Sequence, residues 1–466
     1  MTKYVLPVCL AVSFLTLSFS ISTAQNHELL WRISGNGLTK ASYLFGTIHV
    51  KDQRAFQFSD SVLSSIDKVD RLLIEVDPDS LTGYVLEAVD STTRERSPLL
   101  STLLSKDDFK FLTKKVRKQL KIDINRLRAS RIDFLKKLLG LVKEKEDDRP
   151  TFLDVWLYEL AQGWGKEVGG LEYVENHVAP TVLRESNPDY QAKANRLVRE
   201  LKGTDKENML DFLLGAYQKG DLNAIEKHND MRAFLNRLEH EQLLTIRNQQ
   251  MVERGKKLIR EKSTFMAVGV AHLPGEDGLI ELFRKEGFTV EAVPASFTGL
   301  AAKLEARPRA ERPLRAFRSE EFGFAIKAPC ILWSKENEGN GTHAFAGLDI
   351  GRMDSYVLMD VPGRTLGSNE VDETIDGMVN RMRRMGNGIN EDVEIERIEF
   401  EGLAGVDMFQ VELPSGVFAN YRYLLRKDHV YCLAVSATKP ARLKELSDDF
   451  FPRLELLPLQ KKPAFH

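Results

Sequence analysis

The chain has 466 residues, of which 42% are apolar and 29% are charged, and its formal net charge is −2. This length allows two or three domains with their own cores, and the near-neutral charge argues against nucleic acid or an acidic membrane surface as a partner. Only three cysteines are present, which excludes a disulfide-stapled scaffold but leaves one bridge open between Cys330 and Cys432.

The first 24 residues differ from the rest of the chain. Lys3 precedes an apolar run over residues 4–21 that contains no acidic residue, and Ser22-Thr23-Ala24 follows it. This pattern predicts a signal peptide that is cleaved after Ala24. The protein is then exported, as a periplasmic, cell-surface or secreted protein, with an N-terminal membrane anchor as the alternative. No later stretch is long and apolar enough to predict a membrane span.

Two stretches share one pattern, an apolar strand that ends in Gly-x-x-His. The first is Ser42 to Val50, with Gly46 and His49, after an opening strand at 28–34 and a Gly35-Asn36-Gly37 turn. The second begins at Thr264 and ends in Gly269 and His272. A predicted helix and strand follow each copy, at 60–69 and 71–77 in the first and at 276–285 and 288–293 in the second. The sequence therefore predicts two strand-loop-helix-strand units, each presenting one imidazole at a strand end.

The segments between the two units are predicted to be mainly helical. Apolar residues recur at helical spacing from 99 to about 145, and a helix at 151–163 takes Thr151 as its N-cap. A short strand at 166–172 ends in Glu172. Residues 173–262 form a large helical insertion with breaks near Gly203 and Gly220.

The predicted domains are a signal peptide at 1–24, an α/β domain at 25–298, a linker at 299–315 and a smaller α+β domain at 316–466. Strands of an antiparallel sheet are predicted at 322–326, 356–361, 404–413, 418–425 and 430–436, with helices at 369–385 and 440–450. No constellation of charged residues in the second domain indicates chemistry, so we interpret it as a binding or scaffolding module with a possible protein partner.

Four residues at predicted strand ends are the candidates for chemistry: His49, His272, Glu75 and Glu172. Carboxyl ends of strands in α/β sheets are where ligand sites collect. Imidazole and carboxylate groups together suit Zn²⁺, Mn²⁺, Fe²⁺ or Co²⁺, and a metal-bound water indicates hydrolysis. Each residue also has a structural interpretation, as a hydrogen-bonded histidine or as a glutamate paired with an arginine. No Gly-x-Ser-x-Gly motif or phosphate-binding glycine loop is present.

Several separated motifs together resemble the TraB/GumN family, which includes the TIKI proteins and has a proposed distant kinship to erythromycin esterase and the haem-binding ChaN lipoproteins. The matching segments are Leu30-Trp31-Arg32-Ile33, residues 42–49, the Glu75 strand, Gly170-Leu171-Glu172, Arg247-Asn248 and residues 268–278. The resemblance implies a two-repeat α/β domain with a divalent-metal site and, for the TIKI branch, metal-dependent proteolysis of a peptide or protein substrate.

The resemblance also implies residue roles. His49, His272, Glu75 and Glu172 would hold Mn²⁺, Co²⁺ or Zn²⁺, and Arg247 would stabilise an anion or transition state nearby. Where the family has Gln after the Gly-Leu-Glu segment, this chain has His177. The region from about 316 to 460 faintly resembles PsbP-like domains, which implies binding. The leading hypothesis is an exported metal-dependent peptidase, and the alternatives are a non-enzymatic binding protein for peptide, haem or metal, or a degenerate scaffold whose second domain recruits a partner.

Overall fold

The structure is a computed structural model of the chain. It describes residues 28–81, 97–120, 148–176, 190–202, 209–235, 237–337, 341–349, 351–352, 354–362, 393–412, 418–426, 429–437 and 440–458, with isolated positions between 124 and 136. The predicted signal peptide, the break near Gly203, His177 and the predicted helix at 369–385 lie outside the described residues.

A six-stranded sheet organises the first domain, in the order β4-β3-β5-β2-β1-β6. Its strands are β1 Leu30–Ser34, β2 Ser42–Thr47, β3 Arg71–Ile74, β4 Glu167–Gly170, β5 Thr264–Gly269 and β6 Thr289–Ala292. The β1–β2 pair is the predicted hairpin, and Gly35, Asn36 and Gly37 all have positive φ in its turn. Only β1 runs against the other five strands of this sheet, so the remaining carboxyl ends share one edge.

Helices cover this sheet and fill the predicted insertion. They are α1 Asp60–Lys68, α2 Leu100–Leu103, α3 Lys106–Leu120, α4 Leu153–Gly163, α5 Tyr190–Lys202, α6 Met209–Gln218, α7 Leu222–Leu235, α8 Arg237–His240, α9 Ile246–Glu261 and α10 Leu279–Lys285. A π-helical turn, Glu241–Thr245, leads directly into α9. Both predicted strand-helix-strand units are present, as β2-α1-β3 and β5-α10-β6, and the predicted break at Gly220 separates α6 from α7.

The prediction that Thr151 caps helix α4 is wrong. The helix begins at Leu153, and the N-cap position belongs to Phe152, whose backbone is extended. The backbone hydrogen bonds explain the difference, because Arg149 N donates to Lys51 O at 2.8 Å and Leu153 N donates to Val50 O at 3.1 Å. This pairing ties the approach to α4 to the loop that carries His49 and delays the helical turn.

The core of the first domain lies between the sheet and helices α1, α4, α9 and α10. Strand residues Ile33, Leu44, Leu72 and Phe265 are fully buried, and Phe283 of α10 packs in the same cluster. This is the burial on both faces that a largely parallel sheet requires. None of the helices in the described part of the chain has the length and apolar character to cross a membrane.

The second domain is the predicted antiparallel sheet with helices, which confirms the fold class. A seven-stranded sheet has the order β12-β13-β14-β15-β11-β10-β9, and a three-stranded sheet has the order β16-β8-β7. The bounds are β7 Arg315–Ser319, β8 Phe324–Ala328, β9 Trp333–Asn337, β10 Thr342–Asp349, β11 Asp354–Pro362, β12 Glu394–Phe400, β13 Leu403–Glu412, β14 Phe418–Arg426, β15 His429–Ala437 and β16 Glu455–Leu456.

Two α-helices occur among the described residues after position 298. Helix α11, Leu300–Glu305, lies inside the segment predicted as a linker, and helix α12, Pro440–Phe450, packs on β14 and β15. Cys330 and Cys432 are both buried free thiols. Burial raises the pKa of each thiol to about 12, so both stay protonated at neutral pH.

Candidate functional site

The sheet topology brings the two Gly-x-x-His motifs side by side. Strands β2 and β5 are adjacent and parallel, and their register pairs Gly46 with Val268 and Thr47 with Gly269. The two acidic residues follow neighbouring strands at the same edge, since Glu75 comes after β3 and Glu172 after β4. Glu172 N donates to Glu75 O at 2.7 Å, which continues the ladder past the strand ends. All four predicted site residues therefore lie at one edge of the sheet.

The glycine of each motif is required by close packing. A Cβ on Gly46 would lie 2.9 Å from Val270 Cγ2 and Leu273 Cδ1, so the second motif packs directly against the first. A Cβ on Gly269 would lie 2.8 Å from Glu75 Oε1, and Gly269 N donates to that same oxygen at 2.5 Å. The glycines let the backbone approach where a side chain would displace the neighbouring group.

His272 is buried and its ring is held from one side. Its Nδ1 lies 2.6 Å from Asn248 Oδ1, while Asn248 Nδ2 donates to Asp277 O at 2.7 Å. Because the amide nitrogen is committed to a carbonyl, the amide oxygen faces the imidazole, and Nδ1 must carry the proton. The other ring nitrogen, Nε2, lies 3.7 Å from Glu75 Oε1.

Arg247 joins the two glutamates. Its Nη2 lies 2.6 Å from Glu75 Oε2 and 2.7 Å from Glu172 Oε2, and its Nε donates to Glu172 Oε1 at 2.9 Å. Desolvation lowers the pKa of Arg247, but the hydrogen bonds and charges of Glu172 and Glu75 outweigh it, so the pKa is raised and the guanidinium stays charged. Both oxygens of Glu172 contact Arg247, and its side chain is 0% exposed.

The π-helical turn immediately before α9 positions this arginine. Arg247 lies in the first turn of α9, and its Nη1 donates back to Leu243 O within the π-helical turn at 3.3 Å. Such turns are found frequently at functional sites because they shift the helix face that follows. The sequence indicated a helix here but gave no signal for the irregular turn.

His49 is more exposed than His272 and has different neighbours. Its side chain is 60% exposed, its Nδ1 donates to Asp154 at 3.0 Å, and its ring stacks on Phe152 with centroids 4.0 Å apart. Desolvation lowers the pKa of His49, but the hydrogen bond to Asp154 and the charges of Asp154 and Glu75 raise it by more. The pKa of His49 is therefore above its usual value. A carboxylate on Nδ1 is the arrangement that orients many metal-ligating histidines.

Sequence reasoning missed Asp154 and Asn248 as site residues. Each holds the Nδ1 of one motif histidine, and each comes from a helix rather than from a repeated unit. Asn248 was visible as the neighbour of Arg247, but Asp154 had no sequence signal, since it lies far from His49 along the chain.

The donor set fits a divalent metal in part. His272 Nε2 and Glu75 Oε1, at 3.7 Å, have the chemistry and the separation of two ligands on one ion. Within the described ranges, however, no three His, Cys, Asp or Glu side chains lie close enough together to hold a metal in the observed arrangement. Glu172 is the least suited of the four predicted ligands, because its side chain is fully buried and the Arg247 cation contacts both of its oxygens, whereas Glu75 is 22% exposed and its Oε1 faces His272 Nε2.

A cavity of about 290 Å³ lies at the same edge of the sheet, beside β2. Its apolar walls include Leu30, Phe45, Phe58 and Val293, and Arg54 and Lys219 also line it; Tyr217, another lining residue, donates its hydroxyl to Gly46 O at 3.2 Å. The cavity thus adjoins β2 near its carboxyl end, and its walls offer both apolar and charged groups to a ligand.

Comparisons with known proteins identify the family of the chain. The sequence profile of the TraB/PrgY/gumN family matches residues 29–292, more than half of the chain. Metalloprotease TIKI2 of Danio rerio is 26% identical over 339 residues, which cover 59% of this chain and 62% of that protein. Metalloprotease TIKI2 of Xenopus tropicalis is 28% identical over 184 residues, which cover 34% of this chain and 35% of that protein. The matches thus span less than two thirds of these relatives.

Among solved structures, cyanobacterial PsbP (CyanoP) of Synechocystis sp. PCC 6803 matches 32% of this chain and 94% of its own. The TM-score is 0.25 and the sequence identity is 12%.

Proposed function

This chain belongs to the TraB/PrgY/gumN family, and from that premise and the site geometry we propose that it is a hydrolase that cleaves peptide bonds. One observation carries the proposal. The strands that end in the two motif histidines are adjacent, and Arg247 contacts both Glu75 and Glu172 at the same edge of the sheet. The names of the matched relatives, which are metalloproteases, support peptide or protein as the substrate class.

We propose that the site takes a divalent metal, Mn²⁺, Co²⁺ or Zn²⁺, on His49, His272 and Glu75. His272 and Glu75 form the fixed pair, and Asp154 orients His49 so that Nε2 is the free donor. When bound, such an ion acidifies a water and polarises a carbonyl. We assign Glu172 to a different role from the one first predicted, which is to hold Arg247 in place through both of its oxygens.

The remaining residues bind and orient. Arg247 keeps a fixed positive charge at the site, and a preorganised cation stabilises negative charge that develops on a substrate carbonyl oxygen. Glu75 and Glu172 together leave the Arg247 cluster with one net negative charge, which favours capture of a cation. The cavity beside β2 gives an apolar substrate side chain a place to bind at the same edge of the sheet.

We also propose that the chain is exported, on the basis of the charged start, apolar run and small residues within residues 1–24. This makes a periplasmic, cell-surface or secreted protein or peptide the expected substrate. The second domain is assigned no chemistry by this proposal.

The test measures metal content and cleavage on the chain from residue 25 onward. Elemental analysis after incubation with Mn²⁺, Co²⁺ and Zn²⁺ compares the wild type with His272→Ala and Glu75→Gln. His429→Ala is the matched control, because His429 Nδ1 donates to Asp360 at 3.0 Å in the second domain, the same contact that His49 makes with Asp154.

We expect stoichiometric metal in the wild type and in His429→Ala, and its loss from both site variants. A peptide library analysed by mass spectrometry then tests cleavage by the loaded protein. Equal metal content in all four proteins would refute the site. Metal binding without cleavage of any peptide would favour the non-enzymatic binding protein.

A further inference from the structure

Helix α4 carries the groups that hold His49. Asp154, in its first turn, accepts from His49 Nδ1 at 3.0 Å, and Phe152, the residue just before the helix, stacks on the imidazole. Leu153 N also donates to Val50 O, one residue beyond His49. A displacement of α4 would therefore move the groups that fix the His49 ring.

The same helix is contacted by the second domain at two points. Arg352, in the turn after β10, pairs both of its terminal nitrogens with Glu159 of α4, and the Nη2 to Oε2 distance is 2.9 Å. Gly351 lies against the start of the helix, where a Cβ would collide with Thr151 Oγ1 and lie 2.6 Å from Val155 Cγ1. A bidentate arginine and a close backbone contact together fix both the position and the direction of α4.

The charges at this contact are balanced and mostly removed from water. Asp349, at the end of β10, is 3% exposed and accepts from Arg312 Nη1 at 2.6 Å and from Arg352 N at 3.2 Å. Arg312 Nη1 also lies 3.6 Å from Glu159 Oε1. Two arginines thus meet one carboxylate from each domain. Because removing one member of a buried charge cluster leaves the others poorly paired, the contact favours one arrangement of α4.

We propose that the second domain is a positioning element for His49: its residues Asp349, Gly351 and Arg352 fix helix α4, and with it Asp154 and Phe152, against the imidazole ring. This role rests on the proposed function only in that His49 belongs to the site. It makes the second domain a part of the site's framework rather than a separate module, and it can be measured on the resting protein without an activity assay.

The test is the rate at which diethyl pyrocarbonate modifies His49, measured by mass spectrometry on the full chain from residue 25. The variants are Arg352→Ala and Gly351→Val, with Arg352→Lys as a milder change that keeps the charge. Arg422→Ala is the matched control, because Arg422 also pairs two of its nitrogens with one carboxylate, Asp407, at 2.8 and 2.7 Å, and both residues belong to the second domain.

We expect the His49 rate to rise roughly threefold to tenfold in Arg352→Ala and Gly351→Val, the factor that corresponds to weakening one hydrogen bond. The rate should rise less in Arg352→Lys and stay unchanged in Arg422→Ala, and His343 should react equally in all variants. In a cleavage assay, the same variants should lower kcat while KM stays unchanged, since they act on His49 and not on the cavity.

An unchanged His49 rate in Arg352→Ala and Gly351→Val, together with a lower melting temperature, would show that the contact stabilises the chain without positioning the ring, and would overturn the proposal. If Gly351→Val does not fold, the two Arg352 variants carry the same comparison. Absence of metal binding or cleavage in the wild type would refute the proposed function. The modification rates of His49 would still test the positioning role of the second domain.

Discussion

Replacing Arg247 with Met is the most direct perturbation of the site's charge network. Met keeps an unbranched apolar stem in place but removes the cation that contacts both Glu75 and Glu172. Since the Glu172 side chain is 0% exposed, the variant leaves a buried carboxylate without its guanidinium partner. Removing one partner of a buried ion pair typically destabilises a protein by about 3–5 kcal/mol, and we expect the free energy of unfolding of the first domain to fall by an amount in this range.

A second substitution separates the buried charge from the lost contacts. In Arg247→Met/Glu172→Gln the side chain at 172 is neutral and nearly the same shape, so the desolvated charge is gone. What remains is the cost of a poorly paired amide, about 1–3 kcal/mol. We therefore expect the double variant to be more stable than Arg247→Met alone, although it lacks one more native group.

Native-state hydrogen exchange of peptides from β3 and β5 measures this loss, because it reports the first domain separately from the second. Lys40→Met is the control: Lys40 pairs with Asp70 at 3.2 Å, but the two side chains are 63% and 45% exposed, so little change is expected. The stabilising role of the buried Arg247–Glu172 ion pair is refuted by either of two results. One is that Arg247→Met lowers the free energy of unfolding no more than Lys40→Met, and the other is that the double variant is less stable than Arg247→Met.

Three further perturbations test the neighbouring groups. Gly269→Ala places a Cβ 2.8 Å from Glu75 Oε1, so we expect it to lower the free energy of unfolding by about 1–3 kcal/mol and to weaken metal binding. Gly215→Ala is the control, because its Cβ meets no atom within 4 Å, and it should raise the free energy of unfolding by about 0.5–1 kcal/mol. Chemical unfolding compares the two variants. Asp154→Asn should lower the pKa of His49, which an NMR titration of the ring would show, and an unchanged value would contradict the hydrogen bond. Burial raises the pKa of Asp349, but two neighbouring arginines lower it by more, so the pKa in the folded protein is below its usual value. The ionised carboxylate therefore stabilises the fold above a pH of about 3.9, the unfolded pKa, and this stabilisation is lost as pH falls through the folded pKa. Asp349→Asn should make the dependence of unfolding on acid pH less steep.

The first domain was largely predictable because its strands are short, apolar and well punctuated. The Gly35-Asn36-Gly37 turn and the two Gly-x-x-His ends gave the strand bounds, and the structure places β2 and β5 next to each other. The parallel pairing of β2 and β5 was not predicted, because the repeat of the motif indicated two similar units but not how their strands pair across the helical insertion. The site roles of the four residues at the strand ends stay predictions until metal content is measured.

Errors arose where tertiary contacts override local signals. Thr151 has the residue type of an N-cap, but backbone bonds from Arg149 and Leu153 to the His49 loop delay the helix. Strand β12 is rich in charge and has no regular alternation, and among the described strands it lies at the edge of its sheet, beside β13. Neither feature can be read from a window of sequence.

The candidate site divides between two sources in the chain, and this division explains what sequence reasoning could reach. The groups with donor chemistry, His49, His272 and Glu75, end strands of the repeated units, so a repeated pattern reveals them. The groups that orient them, Asp154 and Asn248, come from helices α4 and α9, which lie outside the repeats and have no pattern of their own. Under the proposed function, short motifs supply the donor groups of this sheet edge, and helices α4 and α9 supply the groups that orient them.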